Sequence, residues 1–159
     1  MVRKIEMQPV NRRDVMKFVG AGAVTGIVVG MLPSLAQADA AAVSAAIKKA
    51  AGGKTPASGK ITLELPQIAE NGNTVPMGFE VESPMTDSNY VKSVHVFAEK
   101  NPRPEVGSFH FTPGSGRAKA STRMRMAKTQ NIVAVAEMSD GGVFMAKTEV
   151  KVTIGGCGG

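Results

Sequence analysis

From Ile61 onward, apolar and polar residues alternate in short runs broken by glycine, proline and asparagine. Alternation with period two is the mark of a strand with one buried face. Ile61, Leu63 and Leu65 predict a first strand, ended by Pro66. Asn71-Gly72-Asn73 predicts a turn, and Met77, Phe79 and Val81 a second strand, ended before Pro84. Tyr90 to Glu99 predicts a third, with Val94, Val96 and Ala98 on one face and Val91, His95 and Phe97 on the other. Apolar on both faces, it is expected to be central. After the stiff turn Asn101-Pro102-Arg103-Pro104, Phe109 and Phe111 predict a fourth strand before Pro113, and Gly114-Ser115-Gly116 a loop tip. Ala118, Ala120, Thr122, Met124 and Met126 are expected to face inward from the fifth, with Lys119, Ser121, Arg123 and Arg125 outward. Ile132 to Met138 predicts the sixth strand. Ser139-Asp140-Gly141-Gly142 then gives a hairpin signal, and Val143 to Ile154 the seventh. Phe144, Ala146, Thr148, Val150, Val152 and Ile154 alternate there with Lys147, Glu149 and Lys151.

Seven short strands with turns between them predict an all-β fold, an immunoglobulin-like β-sandwich over 54–154. The chain has one cysteine and no tryptophan, so the Cys–Trp–Cys core of an antibody domain is excluded. Before the strands, residues 39–51 read as a short helix. Asp39 is expected to cap it, Val43 and Ile47 form its apolar edge, and Gly52-Gly53 stop it, giving a helical segment over 39–53.

Residues 1–38 have a different character. Asn11-Arg12-Arg13-Asp14-Val15-Met16-Lys17 precedes a weakly apolar run from Phe18 to Leu32, then Pro33 and Ala36-Gln37-Ala38. A charged region, an apolar region and a small-residue cleavage site stand in export order. The arginine pair resembles a twin-arginine signal, so export to the periplasm is expected, with cleavage after Ala38 or, alternatively, Ala40. The apolar run is short for a membrane anchor and a processing site follows it. No membrane attachment is expected after cleavage. The net charge of +6 divides evenly: residues 1–38 contribute +3 and the remainder +3. A mild positive charge without clustered stacking aromatics does not point to nucleic acid.

The last five residues, Gly155-Gly156-Cys157-Gly158-Gly159, carry the candidate chemistry. Four glycines offer nothing to pack, so 155–159 reads as a flexible carboxyl-terminal arm of roughly 17 Å presenting one thiol. In an oxidising compartment a lone cysteine implies an intermolecular bond or a free thiol kept for a purpose. No cationic neighbour lies within two residues to stabilise a thiolate. A cysteine enzyme would fix its nucleophile beside a base. A carrier served by other enzymes needs no such device, so this chain is not expected to be an enzyme, and no cofactor is expected. One alternative is an exported redox or metal-binding module using Cys157 with His95 or His110, although no ligand spacing supports it. Another is a structural Cys157–Cys157 dimer. Lys119, Arg123 and Arg125 form a basic stripe: a solvated face, or a dock for an anionic adduct or acidic partner. The methionines at 124, 126, 138 and 145 read as core filler.

The arginine-pair leader, Glu70-Asn71-Gly72-Asn73-Thr74-Val75-Pro76, Asn101-Pro102-Arg103-Pro104 and the terminal Gly-Gly-Cys-Gly-Gly together resemble the SoxY family, sulfur-carrier subunits of thiosulfate oxidation. The resemblance implies a heterodimer with a SoxZ-like subunit. It also implies service by the haem enzyme SoxAX, the manganese hydrolase SoxB and, in some organisms, SoxCD. Cys157 would carry the S-thiosulfonate and sulfane intermediates, and Gly155, Gly156, Gly158 and Gly159 would form the swinging arm.

Overall fold

The computed structural model describes residues 35–156, with side chains from residue 41 onward. Helix α1 (Leu35–Ala50) leads into eight strands: β1 (Ile61–Glu64), β2 (Ile68–Asn71), β3 (Val75–Val81), β4 (Val91–Ala98), β5 (Glu105–His110), β6 (Ala118–Met124), β7 (Gln130–Met138) and β8 (Val143–Ile154). They form a three-stranded sheet, β1-β3-β6, and a five-stranded sheet, β2-β8-β7-β4-β5. The expected all-β sandwich is therefore present, with one strand more than the alternation predicts. The additional strand, β2, has only Ala69 buried, with Ile68 and Glu70 exposed, so no apolar alternation announces it. Parallel pairing with β8 makes it a strand, Ile68 opposite Lys151 and Asn71 opposite Ile154.

The core lies between the sheets. Phe79 and Met77 from β3 meet Val94 and Val96 from β4 and Ile132 and Met138 from β7, all at most 2% exposed. Phe109 and Phe111 stand edge-on to Phe79, with centroids 5.0 and 6.2 Å away, the arrangement favoured by aromatic quadrupoles. Behind the larger sheet, Phe97, Val133 and Val135 form a second cluster against Ala46, Ile47 and Ala50 of α1. Strands β4 and β7 are thus buried on both faces, as expected for β4.

Three local expectations change. Helix α1 begins at Leu35, so Asp39 lies within it and does not cap it. The register of β4 against β7 shifts between Val91 and Ser93. That bulge turns Val91 into the main core, away from the face of His95 and Phe97. Thr122 is exposed and Ala120 only partly buried, because β6 is an edge strand, where inward side chains lack a covering neighbour. The β7–β8 hairpin forms as predicted. Gly141 takes φ 83°, in the left-handed region that glycine tolerates.

Candidate functional site

Antiparallel and parallel pairings bring one set of termini to the same end of the sandwich. The end of β8 lies there with the β2–β3 turn, the β4–β5 turn and the β6–β7 turn. The last described residues of the chain, Gly155 and Gly156, lie at this end. Cys157, Gly158 and Gly159 lie outside the described residues, as does the leader up to residue 34.

The root of the arm is a knot of backbone hydrogen bonds. Gly72 N–H donates to Ile154 O at 2.7 Å, Met126 N–H to Gly72 O at 2.7 Å, and Gly156 N–H to Met126 O at 2.9 Å. The strands approach so closely that glycine is required sterically. A Cβ on Gly72 would overlap Met126 O and stand 2.6 Å from Gly156 N. One on Gly156 would stand 2.7 Å from Gly72 O, and one on Gly155 would overlap Ala127 O. Gly156 is buried. The sequence reading treats 155–159 as uniformly free, whereas Gly155 and Gly156 are held in the body of the sandwich. Their lack of side chains permits close packing.

A buried amide pair supports the knot. Asn101 Oδ1 accepts from Ala127 N at 3.0 Å and from Gln130 Nε2 at 2.7 Å, while Asn101 Nδ2 donates to Arg125 O at 2.8 Å. Gln130 Oε1 accepts from Lys100 N at 2.6 Å. Asn101 is 5% exposed and Gln130 0%, and buried polar groups require such partners. The sequence reading missed Gly72, Asn101 and Gln130 as parts of the site. The first two fell in turns, and Gln130 directly precedes an apolar strand. An amide at such a boundary is the signal that was available.

The basic stripe divides. Lys119 Nζ lies 2.8 Å from Glu64 Oε1 and 3.6 Å from Glu80 Oε2, and the bond it donates to Glu64 raises its pKa. Arg117 binds Glu80 and holds that carboxyl below its usual range. Arg123 and Arg125 pair with no carboxylate among the described residues.

The two histidines do come together, with ring centroids 6.2 Å apart. His95 lies within β4, and His110 ends β5, pairing with Ser93 away from the arm root. Ser108 Oγ donates to Glu105 Oε1 at 2.8 Å, so it accepts from His95 Nδ1–H at 2.7 Å. The serine proton therefore points to the carboxylate and not to the imidazole, the reverse of a nucleophilic triad. Among the described residues no group of three His, Cys, Asp or Glu side chains suits a metal ion.

Residues 47–157 match the family described as sulfur oxidation protein SoxY. No curated protein matches the chain significantly. Among solved structures, the sulfur carrier protein SoxY from Chlorobium limicola f thiosulfatophilum is similar at 35% identity, with a TM-score of 0.60, over 72% of this chain and 99% of that one. A superoxide reductase (neelaredoxin) from Ignicoccus hospitalis shares the fold at 17% identity and TM-score 0.53, over 58% of this chain and 79% of that one. A putative superoxide reductase from Thermotoga maritima does so at 17% and 0.53, over 61% and 93%. The family match runs through the arm root to Cys157, and the chain belongs to the SoxY family, whose role is that of a carrier in sulfur oxidation.

Proposed function

We propose that this chain is an exported, non-catalytic carrier on which Cys157 is the covalent attachment point for thiosulfate-derived sulfur. The observation that supports this most is the arm root. The backbone is clamped at Gly155 and Gly156 at one end of the sandwich, and the only thiol of the chain follows directly. A thiol set one residue beyond a rigid support is presented to other proteins. Among the described residues, no histidine borders the clamp to serve as its base.

Loading is an oxidation. The thiol and the outer sulfur of thiosulfate form an S–S bond, releasing two electrons to a haem partner of the SoxAX kind and the thiol proton to solvent. Hydrolysis by a SoxB-like enzyme then adds water across the S–SO3 bond, releasing sulfate and leaving a persulfide on Cys157. A SoxCD-like enzyme would oxidise the remaining sulfane sulfur where it is present. A SoxZ-like subunit is the proposed heterodimer partner. The arginine pair of the leader supports twin-arginine export to the periplasm. Cleavage after Ala38 would leave Asp39 at the start of α1, where a carboxylate complements the helix dipole.

Intact-mass measurement on protein isolated from cells oxidising thiosulfate tests the reading. The mature chain should carry the mass of thiosulfate or of added sulfur atoms, and the Cys157→Ser chain should carry none. Unmodified protein during active oxidation would sink it.

A further inference from the structure

Beside the arm root lies an open groove of about 270 Å³ lined by Arg103, Arg123 and Arg125 together with Asn101, Glu105 and Val106. Its position follows from the clamp. Arg125 immediately precedes Met126, whose carbonyl holds Gly156 N–H at 2.9 Å. Asn101, bonded to Arg125 O at 2.8 Å, ties the turn bearing Arg103 to the same strand end, and Pro102 and Pro104 stiffen that turn. Cys157 follows Gly156 by one residue, about 3.8 Å of chain.

The three guanidinium groups are exposed, and no carboxylate pairs with them among the described residues. Glu105, the acidic residue of the lining, accepts from Ser108 Oγ. Lys119 of the same stripe is occupied by Glu64 and Glu80. Free donors therefore remain next to the strand end that holds Gly156. Guanidinium offers a planar fork suited to two oxygens of one oxyanion.

We propose that Arg103, Arg123 and Arg125 form an oxyanion-binding groove that receives the sulfonate end of the group carried on Cys157, and the incoming sulfur oxyanion before it. This rests on the carrier reading for its cargo.

Chemical loading tests the groove without any partner enzyme. The Cys157 thiolate attacks a central sulfur of tetrathionate, an S–S bond forms, and the central S–S bond breaks as thiosulfate leaves with the electron pair. The product is the S-thiosulfonate, and no other oxidant is needed. The rate with this dianion is divided by the rate with neutral iodoacetamide on the full mature chain, which cancels changes in thiolate fraction. The ratio should fall about tenfold in the Arg103→Gln/Arg123→Gln/Arg125→Gln chain, as expected for loss of local steering charge. The unsubstituted chain should lose the same advantage at about 1 M salt, where the Debye length is about 3 Å. The corresponding triple lysine chain should retain most of the ratio, showing that charge and not folding is responsible. An unchanged ratio in the glutamine chain overturns the groove. An unchanged ratio together with weaker turnover by partner enzymes overturns it in favour of docking of an acidic protein. Protein without sulfur cargo in thiosulfate-oxidising cells sinks the carrier reading separately, since the tetrathionate ratio does not depend on it.

Discussion

Gly72 sits far from Cys157 in sequence, yet it limits how the arm can leave the fold. Its carbonyl accepts from Met126, its N–H donates to Ile154, and its missing Cβ makes room for Gly156. Gly72→Ala must push backbone against backbone, a form of overpacking that costs about 1–3 kcal/mol. We expect that loss in urea unfolding, together with faster hydrogen exchange at the Gly156 amide. Exchange as slow as in the unsubstituted chain would show that the clamp tolerates a methyl group. Cys157→Ser makes the opposite prediction: an unchanged melting temperature and no turnover with the partner enzymes. A serine chain that still supports thiosulfate oxidation would exclude Cys157 as the attachment point.

At the scale of elements, the β4–β5 and β6–β7 turns are locked together by Asn101 and Gln130. Asn101→Ala removes acceptors from Ala127 N and Gln130 Nε2 and a donor from Arg125 O. Each buried group left unsatisfied costs about 1–3 kcal/mol. The loss should appear in urea unfolding, with exchange quickened at Ala127. A stability equal to that of the unsubstituted chain would mean water replaces the amide. Between β4 and β5, His95 has a lowered pKa. Burial penalises its charged form, His110 adds repulsion, and Glu105 and Glu137 oppose the shift only partly. A lowered folded pKa means the neutral ring is favoured in the fold. Its contribution is therefore fully present above the unfolded value near about 6.5, and it is lost as pH falls through the folded value. Melting temperatures should drop on acidification across this range, and less steeply in His95→Gln. Identical slopes for the two chains would remove His95 from the account.

For the whole molecule, stability depends on the layer between the sheets. Phe79 is fully buried and touches the rings of Phe109 and Phe111. Phe79→Ala should cost about 3–5 kcal/mol, a large share of the roughly 5–15 kcal/mol that holds a domain together. Urea unfolding would read this directly, and a cost below 1 kcal/mol would mean the core refills the cavity. The surface ion pairs should matter far less. Lys92–Glu137 joins exposed side chains, and such pairs are screened by water and salt; Lys147–Glu99 is screened less, because Glu99 is half-buried.

The amino-acid sequence by itself determined the alternating strands, most of their inward faces, the hairpin at Gly141 and the solitary thiol at Cys157. These are local properties: period-two burial and turn chemistry are written within a few neighbouring residues, and a count of cysteines needs no coordinates. Tertiary structure decided the rest. Strand β2 exists through its pairing with β8, and the bulge at Val91–Ser93 through the register of β4 against β7. Asn101 and Gln130 became a buried pair because two turns meet. Lys119 was engaged by Glu80 of the adjacent β3 and by Glu64 of β1 beyond it. Gly155 and Gly156 were drawn into the body of the sandwich for the same reason. A glycine's freedom is visible in its sequence, but its use as space for another backbone depends on which strand arrives there, and Gly72 lies some eighty positions away.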